Sequence, residues 1–234
     1  MTGFVGNRLD GRRVLITSAH TYMGPAIRDL FESEGATVTA NEERLAQPGA
    51  CEDAVASAGE VDVLVANLAE RESLTWDFAE NVTNSDWTGF FDDIVHPLMR
   101  LTRAVLPQMI SRRAGKIVAV TSAAPLRGIP KASAYCSARG AQNAYVRAVG
   151  LEVARHNVQF NAIAQNYIEN PTYYSDEMLA DEDLMKRMLK VIPARGLGKG
   201  SETAELALFL ASENSNFIVG QIVPFAGGWT TTTG

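Results

Sequence analysis

Three residues in this chain have side chains that could move a proton together. Ser122, Tyr135 and Arg139 follow one another in the pattern S-x12-Y-x3-R. Tyr135 and Arg139 stand four residues apart, so on a helix they share one face. A tyrosine hydroxyl ordinarily titrates near about 10, and a guanidinium within a few ångströms favours its phenolate form. A phenolate is a base, and a serine hydroxyl beside it can hold the substrate oxygen whose proton is taken. Arginine is always charged and acts only as an electrostatic partner. Singly, each residue has an ordinary explanation: a strand end, a half-buried aromatic, a solvated surface charge. Their joint placement carries the chemical meaning, so the elements around them decide the reading.

Those elements alternate between two periods. Val14–Thr17 is a short apolar, β-branched run, a helical segment follows from Gly24 to Ser33, Gly35 ends it, and Thr37–Thr39 is the next strand. Val61–Val65 and Lys116–Val120 are further strands, the second reached through a long amphipathic stretch from Trp87 to Arg113. A second long helix is predicted over Ala132–Arg155, then a strand at Val158–Ile163 assigned to sixth position. A helix from Ser201 to Ala211 and a strand at Gln221–Phe225 close the pattern. Continuous apolar strands alternating with helices predict an α/β fold: one Rossmann-like, doubly wound parallel sheet with helices on both faces, spanning residues 1–234. Ligands of such sheets bind outside the carboxyl ends of the strands. Ser122 stands just after the fourth strand and Tyr135 at the start of the second long helix, so both are expected in that one crevice.

Composition narrows the function classes. A chain of 234 residues with a formal charge of −6 can bury a sizeable core, and it lacks the clustered Lys and Arg of a nucleic-acid-binding surface. No apolar run reaches the length of a membrane span, and Met1–Asp10 has no apolar core of a secretory signal, so a cytoplasmic location is expected. Cys51 and Cys136 make no disulfide framework and suit a reducing compartment. His20, His96 and His156 lack metal-ligand spacing, so no metal is expected. Asp92-Asp93 reads as a solvated helix face and Cys136 as structural.

The loop after the first strand is the second informative feature. It reads Thr17-Ser18-Ala19-His20-Thr21-Tyr22-Met23-Gly24. With the S-x12-Y-x3-R pattern, it brings out a resemblance over essentially the whole chain to the short-chain dehydrogenase/reductase superfamily. That superfamily carries T-G-x3-G-x-G here, whose glycines let a pyrophosphate approach the backbone at a helix N-terminus. Here the first two glycines are Ser18 and Tyr22, and Gly24 remains; side chains at both positions should block that approach. The superfamily's catalytic Y-x3-K is Y-x3-R in this chain. Its N-N-A-G after the third strand is Ala66-Asn67-Leu68-Ala69, and the asparagine of the following helix falls near Ile94. Both substitutions resemble one offshoot, the halohydrin dehalogenases, whose T-x4-(F/Y)-x-G matches Thr17, Tyr22 and Gly24.

That resemblance implies cofactor-independent conversion of vicinal halohydrins to epoxides and halide, reversible with small anions such as azide, cyanide or nitrite. It implies Ser122, Tyr135 and Arg139 as the catalytic trio. It implies a halide and substrate pocket from Tyr22, Gln165, Asn166, Tyr167 and Ile168, with Tyr174 as a second-layer aromatic. No cofactor is expected, and a homotetramer paired through the two long helices is. Trp229, beside Gly227-Gly228, is a residue that in the offshoot can reach a neighbouring subunit. Segments 70–86 and 169–190, which shape the pocket, carry no readable motif. Two alternatives stay open: an NAD(P)-dependent reductase with an unusual loop, and a catalytically silent superfamily member used as a binding module.

Overall fold

A computed structural model of the chain describes residues 7–68, 76–170 and 173–231. Six strands form one sheet: β1 Arg13–Ile16, β2 Thr37–Ala40, β3 Val63–Asn67, β4 Gly115–Ser122, β5 Val158–Gln165 and β6 Ile222–Phe225. Their order is β2-β1-β3-β4-β5-β6 and every pairing is parallel. The helices are α1 Gly24–Ser33, α2 Ala50–Ala58, α3 Asn84–Phe90, α4 His96–Arg112, α5 Ala124–Arg127, α6 Ser133–Ala154, α7 Asp176–Ala180, α8 Glu182–Lys190 and α9 Gly200–Ala211.

Strand side chains alternate between two cores, as a period of two requires. Val14, Ile16, Val63, Val65, Val118 and Val120 pack with α1 and α9 on one face. Leu15, Leu64, Ile117 and Ala119 pack with α2, α4 and α6 on the other. Helices therefore cover both faces, and the doubly wound arrangement expected from sequence is the one observed. Chain order reverses between β1 and β3, which places the ligand crevice over the ends of the central strands.

Three boundaries differ from the sequence reading. Val158–Gln165 is the fifth strand, and the sixth is Ile222–Phe225. Ser122 is the last residue of β4, not the residue after it. The stretch read as one helix over 87–113 begins at Asn84 and passes through a π-helical turn at Phe91–Val95 before α4. Thr83 and Asp86 form a capping box that starts it earlier. Among the described residues no helix is long and apolar enough to cross a membrane, and no cluster of His, Cys, Asp and Glu is poised to hold a metal.

Candidate active site

The ends of β4 and β5 and the first turns of α6 assemble one cavity of about 270 Å³. Ser122, Tyr135, Tyr22, Gln165, Asn166, Tyr167, Ile168 and Tyr174 all line it. The Ser122 Oγ accepts the backbone N–H of Ala124 at 3.0 Å, which fixes its rotamer and leaves its hydrogen to donate. Tyr135 and Arg139 lie on one face of α6, with the guanidinium carbon 5.4 Å from the Tyr135 ring centroid.

Arg139 lies behind Tyr135 rather than on the cavity wall and is 0% exposed. Its Nη1 donates to the Val120 carbonyl at 3.3 Å and to Gln142 Oε1 at 2.9 Å. Gln142 Nε2 in turn donates to the Ile94 carbonyl at 2.7 Å. Ile94 sits in the π-helical turn, a geometry that frees a helix carbonyl for an outside donor. Thus the place where the superfamily's asparagine would fall supplies a backbone oxygen, and Gln142 links it to the arginine. No carboxylate pairs with Arg139 among the described residues, and its Nε and Nη2 form no hydrogen bond of good geometry. Burial works against the charge, but the phenols of Tyr135, Tyr173 and Tyr22 outweigh it and hold the guanidinium above its ordinary pKa.

Tyr173 is the residue that sequence reasoning missed. Its hydroxyl faces Arg139, and its ring meets Tyr22 edge-on at 5.5 Å. Tyr174 was singled out instead, and it lines the cavity without reaching the guanidinium. Two adjacent tyrosines in an irregular loop offer no periodicity to tell which points inward. Tyr22 and Tyr173 are held well above the usual phenol range, first by burial and then by the negative charge Tyr135 carries when ionised. Burial, then the charges of Tyr167 and Tyr135, raise Tyr174 as well. Tyr22 and Tyr173 therefore stay protonated and keep a hydrogen to donate.

The β1–α1 loop keeps its backbone shape while losing its open space. Ser18 and Tyr22, where glycines would stand, have φ of 44° and 56°. Left-handed backbone costs a non-glycine residue roughly 1–2 kcal/mol. Asn67 pays for part of this by donating to the Ser18 and Thr21 carbonyls at 3.0 and 3.1 Å. Gly24 alone has no room for a side chain, since a Cβ there would lie 2.4 Å from the Ser18 carbonyl oxygen. The Tyr22 hydroxyl accepts from Gln165 Nε2 at 2.8 Å, and Gln165 Oε1 accepts from Thr203 at 3.1 Å. Gln165 ends β5, and two strands separate β5 from β1, so Tyr22 spans the crevice like a crossbar. The pyrophosphate space of a dinucleotide is thus occupied by this chain's own side chains, and the residues present do not fit that cofactor.

Beyond β5, the Asn166 amide N–H donates to the Phe225 carbonyl and that of Tyr167 to Asn166 Oδ1. Both of these backbone donors are engaged within the chain. The buried Asn166 Nδ2 has no hydrogen-bond partner. Trp229 packs within its own chain, 5.8 Å from the Tyr167 ring and under Arg127 at 4.9 Å. Asp92 and Asp93, read as a solvated face, are paired with His96 and Arg44, each at 2.9 Å.

The family model described as enoyl-(acyl carrier protein) reductase matches residues 10–230. A 3-oxoacyl-[acyl-carrier-protein] reductase, FabG, of Thermotoga maritima is 30% identical, over 94% of this chain and 98% of its own. A solved structure titled "Dehalogenation enzyme" is 32% identical, with a TM-score of 0.87 over 95% of this chain and 99% of that one. The structure of halohydrin dehalogenase HheC bound to ethyl (2S)-oxiran-2-ylacetate is 26% identical, with a TM-score of 0.83 over 94% of this chain and 97% of that one. With its parallel six-stranded sheet and these relatives, the chain belongs to the enoyl-(acyl carrier protein) reductase family of the short-chain dehydrogenase/reductase superfamily.

Proposed function

We propose that this protein is a halohydrin dehalogenase, converting vicinal halohydrins to epoxides and halide without a nucleotide. The observation that carries the reading is Tyr22, which bars the crevice and binds Gln165 while Ser122 and Tyr135 open onto the same cavity. The likeness to a dehalogenation enzyme and to an epoxide-bound halohydrin dehalogenase supports it.

Ser122 donates to the substrate hydroxyl oxygen, and the Tyr135 phenolate takes its proton. Arg139, itself fully buried, stabilises the negative charge on that phenol oxygen through a low-dielectric surrounding that magnifies the effect. The alkoxide then attacks the adjacent carbon; its electron pair forms the C–O bond while the carbon–halogen bond breaks and halide leaves with the other pair. Halide is received by the Tyr22 and Gln165–Ile168 surroundings, where protonated phenol and amide donors suit a weakly hydrated anion. Alignment of the alkoxide oxygen behind the carbon–halogen bond and stabilisation of the leaving group supply the acceleration. Reversal lets azide, cyanide or nitrite open an epoxide. A homotetramer goes with this reading, and Leu151 of α6, 74% exposed, is a residue such an interface would cover.

A second reading, an NAD(P)-dependent reductase, is favoured by one feature: the β1–α1 loop retains left-handed backbone at positions 18 and 22. The two separate in a single assay containing a bromohydrin, a ketone and NADPH. The dehalogenase yields epoxide, with azide able to reopen it, and leaves NADPH untouched. Consumption of NADPH against a ketone, with no epoxide formed, would establish the reductase instead.

A further inference from the structure

We infer that the alcohol carbon of the preferred halohydrin bears an aryl ring, seated against Trp76 at the mouth of the cavity; this rests on the dehalogenase reading above. The cavity has two chemically distinct ends. Ser122, Tyr22, Tyr135 and Gln165 form its floor and are all buried. Trp76, Ile129 and Met178 form an apolar rim that is only partly covered. No Asp, Glu, Lys, Arg or His lines it among the described residues, so a carboxylate, phosphate or ammonium on the substrate has nothing to meet.

Trp76 is 43% exposed and packs against the base. Its indole lies 5.5 Å from the Tyr135 ring at 58°, and Phe90 meets the same tyrosine at 5.7 Å and 64°. The adjacent Asp77 bridges Ala132 in parallel, and Lys131 stands 4.5 Å over the Phe78 ring, which pins the segment to the start of α6. A half-exposed aromatic packed beside the base offers a ring face or edge to a ligand ring. Size agrees. At about 30 Å³ per water-sized group, 270 Å³ takes about nine such groups. A phenyl-bearing bromoethanol has about that many non-hydrogen atoms and a bromopropanol about half as many.

The test compares bromide release from 2-bromo-1-phenylethanol, 1-bromo-2-octanol of equal atom count, and 1-bromo-2-propanol. The phenyl substrate is expected to exceed the propanol by about tenfold or more in kcat/KM, which is about 1.4 kcal/mol, and the octanol by several-fold. Trp76→Ala should cut the phenyl-to-propanol ratio to about threefold or less, and Trp76→Phe should restore most of it. In parallel, binding of 1-phenylethanol, which has no leaving group, is measured by calorimetry against 2-propanol. Bromide released from all three substrates without aryl preference, or a ratio indifferent to Trp76→Ala, overturns the inference and leaves the dehalogenase standing. Binding of 1-phenylethanol that weakens in Trp76→Ala, with no bromide from any substrate, keeps the ring site and overturns the dehalogenase.

Discussion

Strand β4 has a buried cation near each end, and the two are kept in opposite ways. At its N-terminal end, Lys116 Nζ donates to Ser215 Oγ at 3.2 Å and Asn216 Oδ1 at 2.7 Å, both neutral. Burial pulls its pKa down to about 8, helped by the charge of Arg12 and opposed by Glu213. Toward its C-terminal end, Arg139 is more deeply buried, yet the surrounding phenols raise its pKa. Lys116 can relieve its burial by giving up a proton. Arg139 cannot, and its neighbours are groups able to become negative. One cation ties a loop to the sheet; the other is a fixed charge in search of an anion, beside the tyrosine read as the base.

Removing the fixed charge should have the largest effect. Arg139→Met is expected to lower kcat/KM for halide release by about 10²–10³-fold, measured with folding verified by circular dichroism. Arg139→Lys should lose less, about tenfold at neutral pH. Full activity in either variant would erase the distinction between the two ends. Tyr173→Phe, which removes the hydroxyl facing Arg139, should cost about threefold in kcat/KM.

The smallest effect concerns Lys116 and is one of stability. Between about 8 and 10.5 the unfolded chain holds a proton there that the folded chain has lost. Stability contributed by this residue therefore rises with pH through that window. Urea unfolding at pH 7, 8, 9 and 10 should show wild type gaining on Lys116→Met by on the order of 1 kcal/mol. The comparison with the mutant matters because Tyr22, Tyr173 and Tyr174 act in the other direction. Their folded pKa values lie above the unfolded value, so their contribution is complete below about 10 and lost above it.

The strands, α1, α6 and α9 were legible because apolar periodicity is local and each element is bounded by its own turn residues. Ser122, Tyr135 and Arg139 were legible because two of them share a helix face and the third ends a strand. The π-helical turn at Phe91–Val95 was not, since it inserts a residue without interrupting the apolar pattern. The start of α3 carried a usable signal in Thr83-x-x-Asp86, and Ser175 and Asp181 likewise cap α7 and α8 within a segment that showed no motif. Gln142 could have been found, lying three residues beyond Arg139 on the same face of α6. Tyr173 and the crossbar hydrogen bond of Tyr22 could not, because they join residues 151 and 143 positions apart that no local periodicity relates.

The central claim is that Tyr135 is the base of a reaction that needs no nucleotide. Its most direct test is bromide release from 2-bromo-1-phenylethanol by nucleotide-free protein, wild type against Tyr135→Phe. The account predicts steady release by wild type and a loss of about 10³-fold or more in the variant. Equal release by both would show that another group takes the proton, and release by wild type only after NADPH is added would contradict the account outright.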